Sequence, residues 1–301
     1  MIKGKILSSN SKIGIISPAS CSEDIIINTY INKFKSLGFN IVKGRHIHDK
    51  HGYFSGSDMD RAKELTDMFL DDSIDGIICF RGGYGSIRIL PYIDMSIIKN
   101  NPKFFCGYSD ITILLNYFAN NGLITFHGPM IKSNFDDILT LSHLKRMLFN
   151  PTKGFIYDFS NCIKYNNNHF SGKLIGGNLS MICSSIGTPY EINLDNSILL
   201  LEEINEPPYV IDRLLTQLSL SNKLNKCNAI LIGHMTNCSD DNDFSFEISD
   251  IIKNILLPLN IPIITNVPFG HSYPNLTFPI GCNATYNKET SQLILCENSL
   301  L

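Results

Sequence analysis

The stretch Lys103-Phe104-Phe105-Cys106-Gly107-Tyr108-Ser109-Asp110-Ile111-Thr112 decides how this chain is read. An apolar run stops at Gly107, a Tyr-Ser-Asp triplet follows, and Ile111-Thr112-Ile113-Leu114-Leu115 opens a helical pattern. Strand, tight turn and helix in that order push a serine hydroxyl out of the backbone at a helix N-terminus. The helix dipole and its first amides favour negative charge there, so an oxyanion beside Ser109 would be stabilised. The motif is Gly-x-Ser without the second glycine of Gly-x-Ser-x-Gly, because Asp110 and Ile111 follow. Taken alone it describes a turn serine or a helix cap just as well.

Upstream of this elbow, Lys12 to Ser17 is a β-branched run that reads as a buried strand. A helical pattern from Glu23 to Leu37 carries Ile26, Ile27, Tyr30, Ile31 and Phe34 on one face. Phe39 to Val42 is the next strand. Strand, helix and strand predict a βαβ unit and a parallel first sheet. The first turn lacks Gly-x-Gly-x-x-Gly, so no dinucleotide cofactor is supported. Ser57-Asp58 caps a helix to Leu70, and the strand Ile74 to Phe80 runs into Arg81-Gly82-Gly83-Tyr84-Gly85. Between these elements stand His46, His48 and His51. Their closeness invites zinc, but no nearby carboxylate or cysteine completes a site by spacing, and a solvated loop accounts for them.

Downstream, Leu123 to Pro129 reads as strand and turn. The segment 151–168, rich in Asn, Lys and aromatics, is expected as a linker between an N-terminal domain, 1–150, and a C-terminal one, 169–301. The second half opens on Gly172 to Leu179. It continues with a strand from Ser197 to Glu202, a helix from Pro207-Pro208, and strands at Asn228–Gly233 and Ile261–Thr265. Asp240-Asp241-Asn242-Asp243 is a solvated turn without EF-hand spacing. Ser109, Glu202 and His271 each follow or end a strand. A serine needs a base, and a histidine base needs an acid to fix its tautomer. Glu202 is also read as a helix cap, and His271, after Gly270, as a turn histidine.

Composition bounds the alternatives. The chain has 301 residues, 44% hydrophobic and 18% charged, with a net charge of −3. There is no basic field for nucleic acid or an anionic membrane. No apolar run reaches the roughly 18 residues that span a bilayer, and the N-terminal residues do not form a signal peptide. Nine cysteines without a Cys-x-x-Cys pair fit free thiols in a reducing cytoplasm.

The motifs, taken together, resemble the LD-carboxypeptidase family of serine peptidases, the muramoyltetrapeptide carboxypeptidases. The resemblance runs over nearly the whole chain. Its blocks are Gly14–Ser20, Phe54–Ala62, Ile77–Gly85, Gly107–Thr112, Phe126–Pro129, Gly176–Leu179, Leu201–Tyr209, Ile211–Leu214 and Pro268–Gly281. It implies a Ser109–His271–Glu202 triad, with Glu203 as the competing acid. Strand alternation favours Glu202, which shares a face with Leu200 while Glu203 points the other way. It places oxyanion donors on the backbone N–H groups of Gly83 and Asp110. Arg81 becomes a candidate for the substrate's C-terminal carboxylate, with a structural ion pair as the competing reading, and Asn178 either orients substrate or caps a helix.

The implied fold is α/β in two domains: an N-terminal doubly wound, largely parallel sheet and a C-terminal α/β domain, with the active site between them. The implied reaction cleaves the amide between the L-centre of meso-diaminopimelate and the terminal D-alanine of murein tetrapeptide, in cytoplasmic peptidoglycan recycling. No metal or cofactor is implied. The partners would be a small muropeptide and a second copy in a homodimer. The alternative is the sister group that cleaves peptide-nucleotide amides such as microcin C. That group lacks the Arg-Gly-Gly-Tyr-Gly form present here and uses an aromatic on a longer loop to stack the nucleotide; this chain is short and has no tryptophan.

Overall fold

The computed structural model describes residues 1–240 and 244–301, so the last three residues of the turn expected at 240–243 lie outside the described residues. In chain order the strands are β1 (Lys12–Ile16), β2 (Asn40–Lys43), β3 (Gly76–Cys79), β4 (Phe104–Gly107), β5 (Thr125–His127), β6 (Ile156–Asp158), β7 (Ile163–Tyr165), β8 (Phe170–Asn178), β9 (Ser197–Ile204), β10 (Cys227–Thr236), β11 (Ile263–Thr265), β12 (Phe278–Ile280), β13 (Asn283–Asn287) and β14 (Gln292–Leu295). The helices used below are α1 (Asp24–Ser36), α2 (Asp58–Leu70), α3 (Ser86–Ile89), α4 (Met95–Asn100), α5 (Thr112–Asn120), α6 (Ile138–Phe149), α7 (Leu179–Ser185), α8 (Pro208–Leu220) and α9 (Ile248–Ile255).

The chain forms two compact units. The first contains Met1–Thr152 with two returning pieces, Leu276–Gly281 and Ser299–Leu301; the second contains Lys153–Asn275 and Cys282–Asn298. The stretch expected as a linker carries two short strands, β6 and β7, at the two edges of the second sheet. Their signal is weak because they are three residues each, and between them only Tyr157 is buried.

In the first unit the sheet order is β12-β5-β4-β3-β1-β2. All pairs are parallel except the edge pair β12–β5. β3 and β4 are buried at every position, as a sheet covered on both faces requires. Phe104 stacks on Phe126 at 4.3 Å, and Phe69 packs on Phe105 and Phe118. Burial of each such ring contributes about 1.5–3 kcal/mol. α2 begins with a complete capping box: Ser57 accepts from the Asp60 amide and the Asp60 carboxylate accepts from the Ser57 amide.

The parallel order β2-β1-β3-β4-β5 reverses direction between β1 and β3, which opens a crevice at the carboxyl ends of those strands. The loops Ser17–Ser22 and Phe80–Gly85 leave the sheet there. β4 lies beside β3, so the Ser109 turn emerges next to the Arg81–Gly85 loop.

In the second unit the order is β6-β14-β13-β8-β9-β10-β11-β7. Its core β8-β9-β10-β11 is parallel, and the flanking pairs are antiparallel. The register sets Asn178 opposite Glu202, at the carboxyl ends of β8 and β9.

Candidate active site

Tyr108 alone separates β4 from the helical turn Ser109–Ile111 that leads into α5, so Ser109 opens that turn at the corner. Its φ is +63°, a left-handed conformation that a serine holds only when its surroundings enforce it. Gly107 fits beneath the turn, against the side chain of Ile111.

The Arg81–Gly85 loop closes on this corner. A β-carbon added to Gly82 would stand 3.0 Å from Ser109 Oγ and 3.2 Å from the Asp110 amide nitrogen. At the next position φ is +111°, and a β-carbon would fall 2.3 Å from Ser20 Oγ. Gly83 thus lets the loop turn between Ser20 and the serine corner without a side chain in the way. Ser20 Oγ accepts from the Tyr84 amide at 3.0 Å, which ties this loop to the one after β1.

The carboxylate of Asp110 is the clamp between the corner and the loop. It accepts from the Ser86 amide at 2.8 Å and the Gly85 amide at 3.3 Å, while Ser86 Oγ donates to the Asp110 carbonyl. Burial raises the Asp110 carboxyl above the usual range, opposed by the Ser86 and Gly85 bonds and by the Arg61 charge. Arg61, only 1% exposed, donates to Pro18 O at 2.6 Å and Gly85 O at 3.0 Å and pairs with Asp58. Sequence reasoning assigned Asp110 only a backbone N–H and did not assign Arg61. The available signal was a charged residue inside the blocks Phe54–Ala62 and Gly107–Thr112.

Arg81 does not form an ion pair among the described residues. Its Nη1 donates to Cys21 O at 3.1 Å and Ser22 Oγ at 3.4 Å, and a β-carbon on Gly83 would lie 3.5 Å from its Nη2. The guanidinium therefore lies alongside the glycine loop.

On the second unit, His271 Nδ1 and Glu202 Oε2 are 2.6 Å apart. Glu202 is fully buried, while the His271 side chain keeps 12% of its surface exposed. Gly270, at φ +111°, is the close-approach position: a β-carbon there would meet Glu202 Oε2 at 2.8 Å. The histidine loop is pinned to β10. The His234 amide donates to Phe269 O at 2.9 Å, the Thr236 and Ser272 hydroxyls share a 2.7 Å bond, and Asn275 Oδ1 accepts from the Gly270 amide.

Glu203 faces the other way. It accepts from Asn178 Nδ2 at 2.7 Å, the Ser180 amide at 2.8 Å and the Ile204 amide at 2.9 Å. Asn178 spends its other end as the cap of α7, accepting from the Met181 amide. Its side chain braces Glu203 against the helix start.

His46 and His48 bond separately to Asp49 and Asp24. Among the described residues no three His, Cys, Asp or Glu groups are placed to hold a metal. No helix among them is long and apolar enough to cross a membrane.

A strained corner serine on one α/β unit and a histidine bonded to a buried carboxylate on the other are the residue types by which serine hydrolases work. Comparison with known proteins narrows the class. The model of the LD-carboxypeptidase N-terminal domain matches residues 13–128, and that of the LD-carboxypeptidase C-terminal domain matches 171–286. A probable murein peptide carboxypeptidase of Bacillus subtilis is 35% identical over 95% of this chain and 91% of its own length. The microcin C7 self-immunity protein of Escherichia coli is 27% identical over 87% of this chain and 86% of its own. The crystal structure of a muramoyltetrapeptide carboxypeptidase from Oxalobacter formigenes superposes with a TM-score of 0.84 at 27% identity, covering 95% of this chain and 98% of that one. The chain belongs to the LD-carboxypeptidase family. It is a serine carboxypeptidase with the family's two-domain α/β architecture.

Proposed function

We propose that this enzyme hydrolyses the amide between the L-centre of meso-diaminopimelate and the terminal D-alanine of murein tetrapeptide, with Ser109 as nucleophile, in peptidoglycan recycling. The observation that carries the mechanism is the 2.6 Å bond between His271 Nδ1 and the buried Glu202 carboxylate. It orients the imidazole so that proton transfer falls to Nε2, and it stabilises the imidazolium once formed. His271 would take the Ser109 proton as Oγ attacks the carbonyl, then deliver it to the departing D-alanine amine. Water would release the acyl-enzyme by the same route. The amides of Gly83 and Asp110 would receive the oxyanion; their place around the Ser109 corner supports that assignment. The murein substrate is supported by the Bacillus subtilis and Oxalobacter formigenes proteins named above.

The test is incubation of the purified protein with murein tetrapeptide and, separately, a peptide-nucleotide amide, followed by mass spectrometry. Release of D-alanine and tripeptide is expected. Cleavage of the nucleotide amide alone would place the substrate with the self-immunity relative, and turnover of neither would remove the reading.

Gly83→Ala is expected to lower kcat about 100-fold with little change in KM, the scale of losing one oxyanion donor. The new methyl would have to displace Ser20, 2.6 Å away at its β-carbon, and the loop would carry the amide out of line. Steady-state kinetics with an unchanged kcat would take Gly83 out of this role.

A further inference from the structure

A second cation stands beside Arg81. After β5 the chain runs back across the carboxyl end of the first sheet: the Ile131 amide donates to Cys79 O at 3.1 Å and the Lys132 amide to Phe80 O at 3.0 Å. This seats Lys132 against the residue that precedes Arg81. The Lys132 side chain is partly buried, and among the described residues its ammonium has no carboxylate partner. Burial first, and then the Arg81 charge, hold that ammonium below the ordinary lysine range. No carboxylate offsets either effect. Two like charges in a partly desolvated place, neither paired, cost stability unless an anion joins them.

The chemistry of the reaction says which anion. A carboxypeptidase's leaving residue carries its own carboxylate. Within one residue the carboxylate carbon lies only about 2.5 Å from the residue's own nitrogen, which here is the scissile one. The group that binds it must therefore stand next to the oxyanion donors. Arg81 meets this condition, with Nη2 3.5 Å from where a Gly83 β-carbon would be. A planar guanidinium presents two parallel donors to a carboxylate, and an ammonium adds a compact point charge.

Resting on the carboxypeptidase reading, we propose that Lys132 and Arg81 together form the subsite for the α-carboxylate of the leaving D-amino acid. Lys132 is then the specificity residue that makes the enzyme demand a free C-terminus.

The test compares the tetrapeptide with the same peptide ending in D-alanine amide. Wild-type enzyme is expected to prefer the acid in kcat/KM by about 100-fold or more, the scale of a charge-assisted contact pair. Lys132→Met is expected to cut that preference at least about tenfold. The loss should fall on the acid and appear as a raised KM, and Lys132→Arg should recover most of it. Equal loss on acid and amide, or an unmoved preference, would overturn the proposal. A second measurement needs no turnover: NMR titration of N-acetyl-L-lysyl-D-alanine into wild type and Lys132→Met. Weaker binding in the variant supports the subsite even if the tetrapeptide is not the substrate, and equal binding overturns it.

Discussion

Ser109→Ala is expected to lower kcat by at least about 10,000-fold, in the range found when a hydrolase loses its nucleophile. The folded state should scarcely notice. Ser109 already occupies a left-handed corner, at φ +63°, and alanine pays the same backbone cost. The sharper form of the prediction uses glycine. Ser109→Gly should be just as inactive yet more stable by about 1 kcal/mol, because glycine adopts this conformation without the penalty. Inactive and stabilised is a combination that a residue serving only as a helix cap would not produce, since removing a cap destabilises. Kinetics on D-alanine release, paired with urea unfolding, read both quantities. Residual activity above about 1% of wild type in either variant would mean that another group attacks the substrate.

The adjacent glutamates should separate cleanly. Glu202→Gln keeps the shape but replaces the acceptor facing His271 Nδ1 with a group that can offer a hydrogen instead. The imidazole would then be held in the wrong tautomer, and kcat is expected to fall about 1,000- to 10,000-fold. Glu203→Gln removes a charge that receives three bonds, from Asn178 and from the Ser180 and Ile204 amides. Its loss should weaken unfolding free energy by about 1–3 kcal/mol with a much smaller effect on kcat. The reverse pattern, with Glu203→Gln the catalytic lesion, would exchange the roles of the two carboxylates.

These two residues mark how far the amino-acid order alone defines the site. Alternation along a strand places neighbours on opposite faces, so Glu202 and Glu203 had to part. Which of them meets a histidine sixty-nine residues later is a matter of which face that loop covers, and the pinning of the 266–275 loop to β10 decided it. Asn178 illustrates the same limit. Its type and place suited either a substrate contact or a cap, and in the structure it accepts from the Met181 amide and donates to Glu203.

Local chemistry, acting within a few residues, is what the amino-acid order determined by itself. The Ser57 cap of α2, the buried β-branched runs of β1 and β3, the Gly107-Tyr-Ser109 corner and the glycine loop after β3 all depend on near neighbours. Tertiary structure alone decided what depends on distant partners. The three-residue strands β6, β7 and β12 exist only because other strands supply their hydrogen bonds, and β12 returns to the first sheet after 123 residues spent in the second unit, Lys153–Asn275. The Asp110 clamp and the neighbouring charges of Arg81 and Lys132 belong to the same kind. A side chain's burial and its partners are set by packing across the sheet, and no spacing along the chain encodes them.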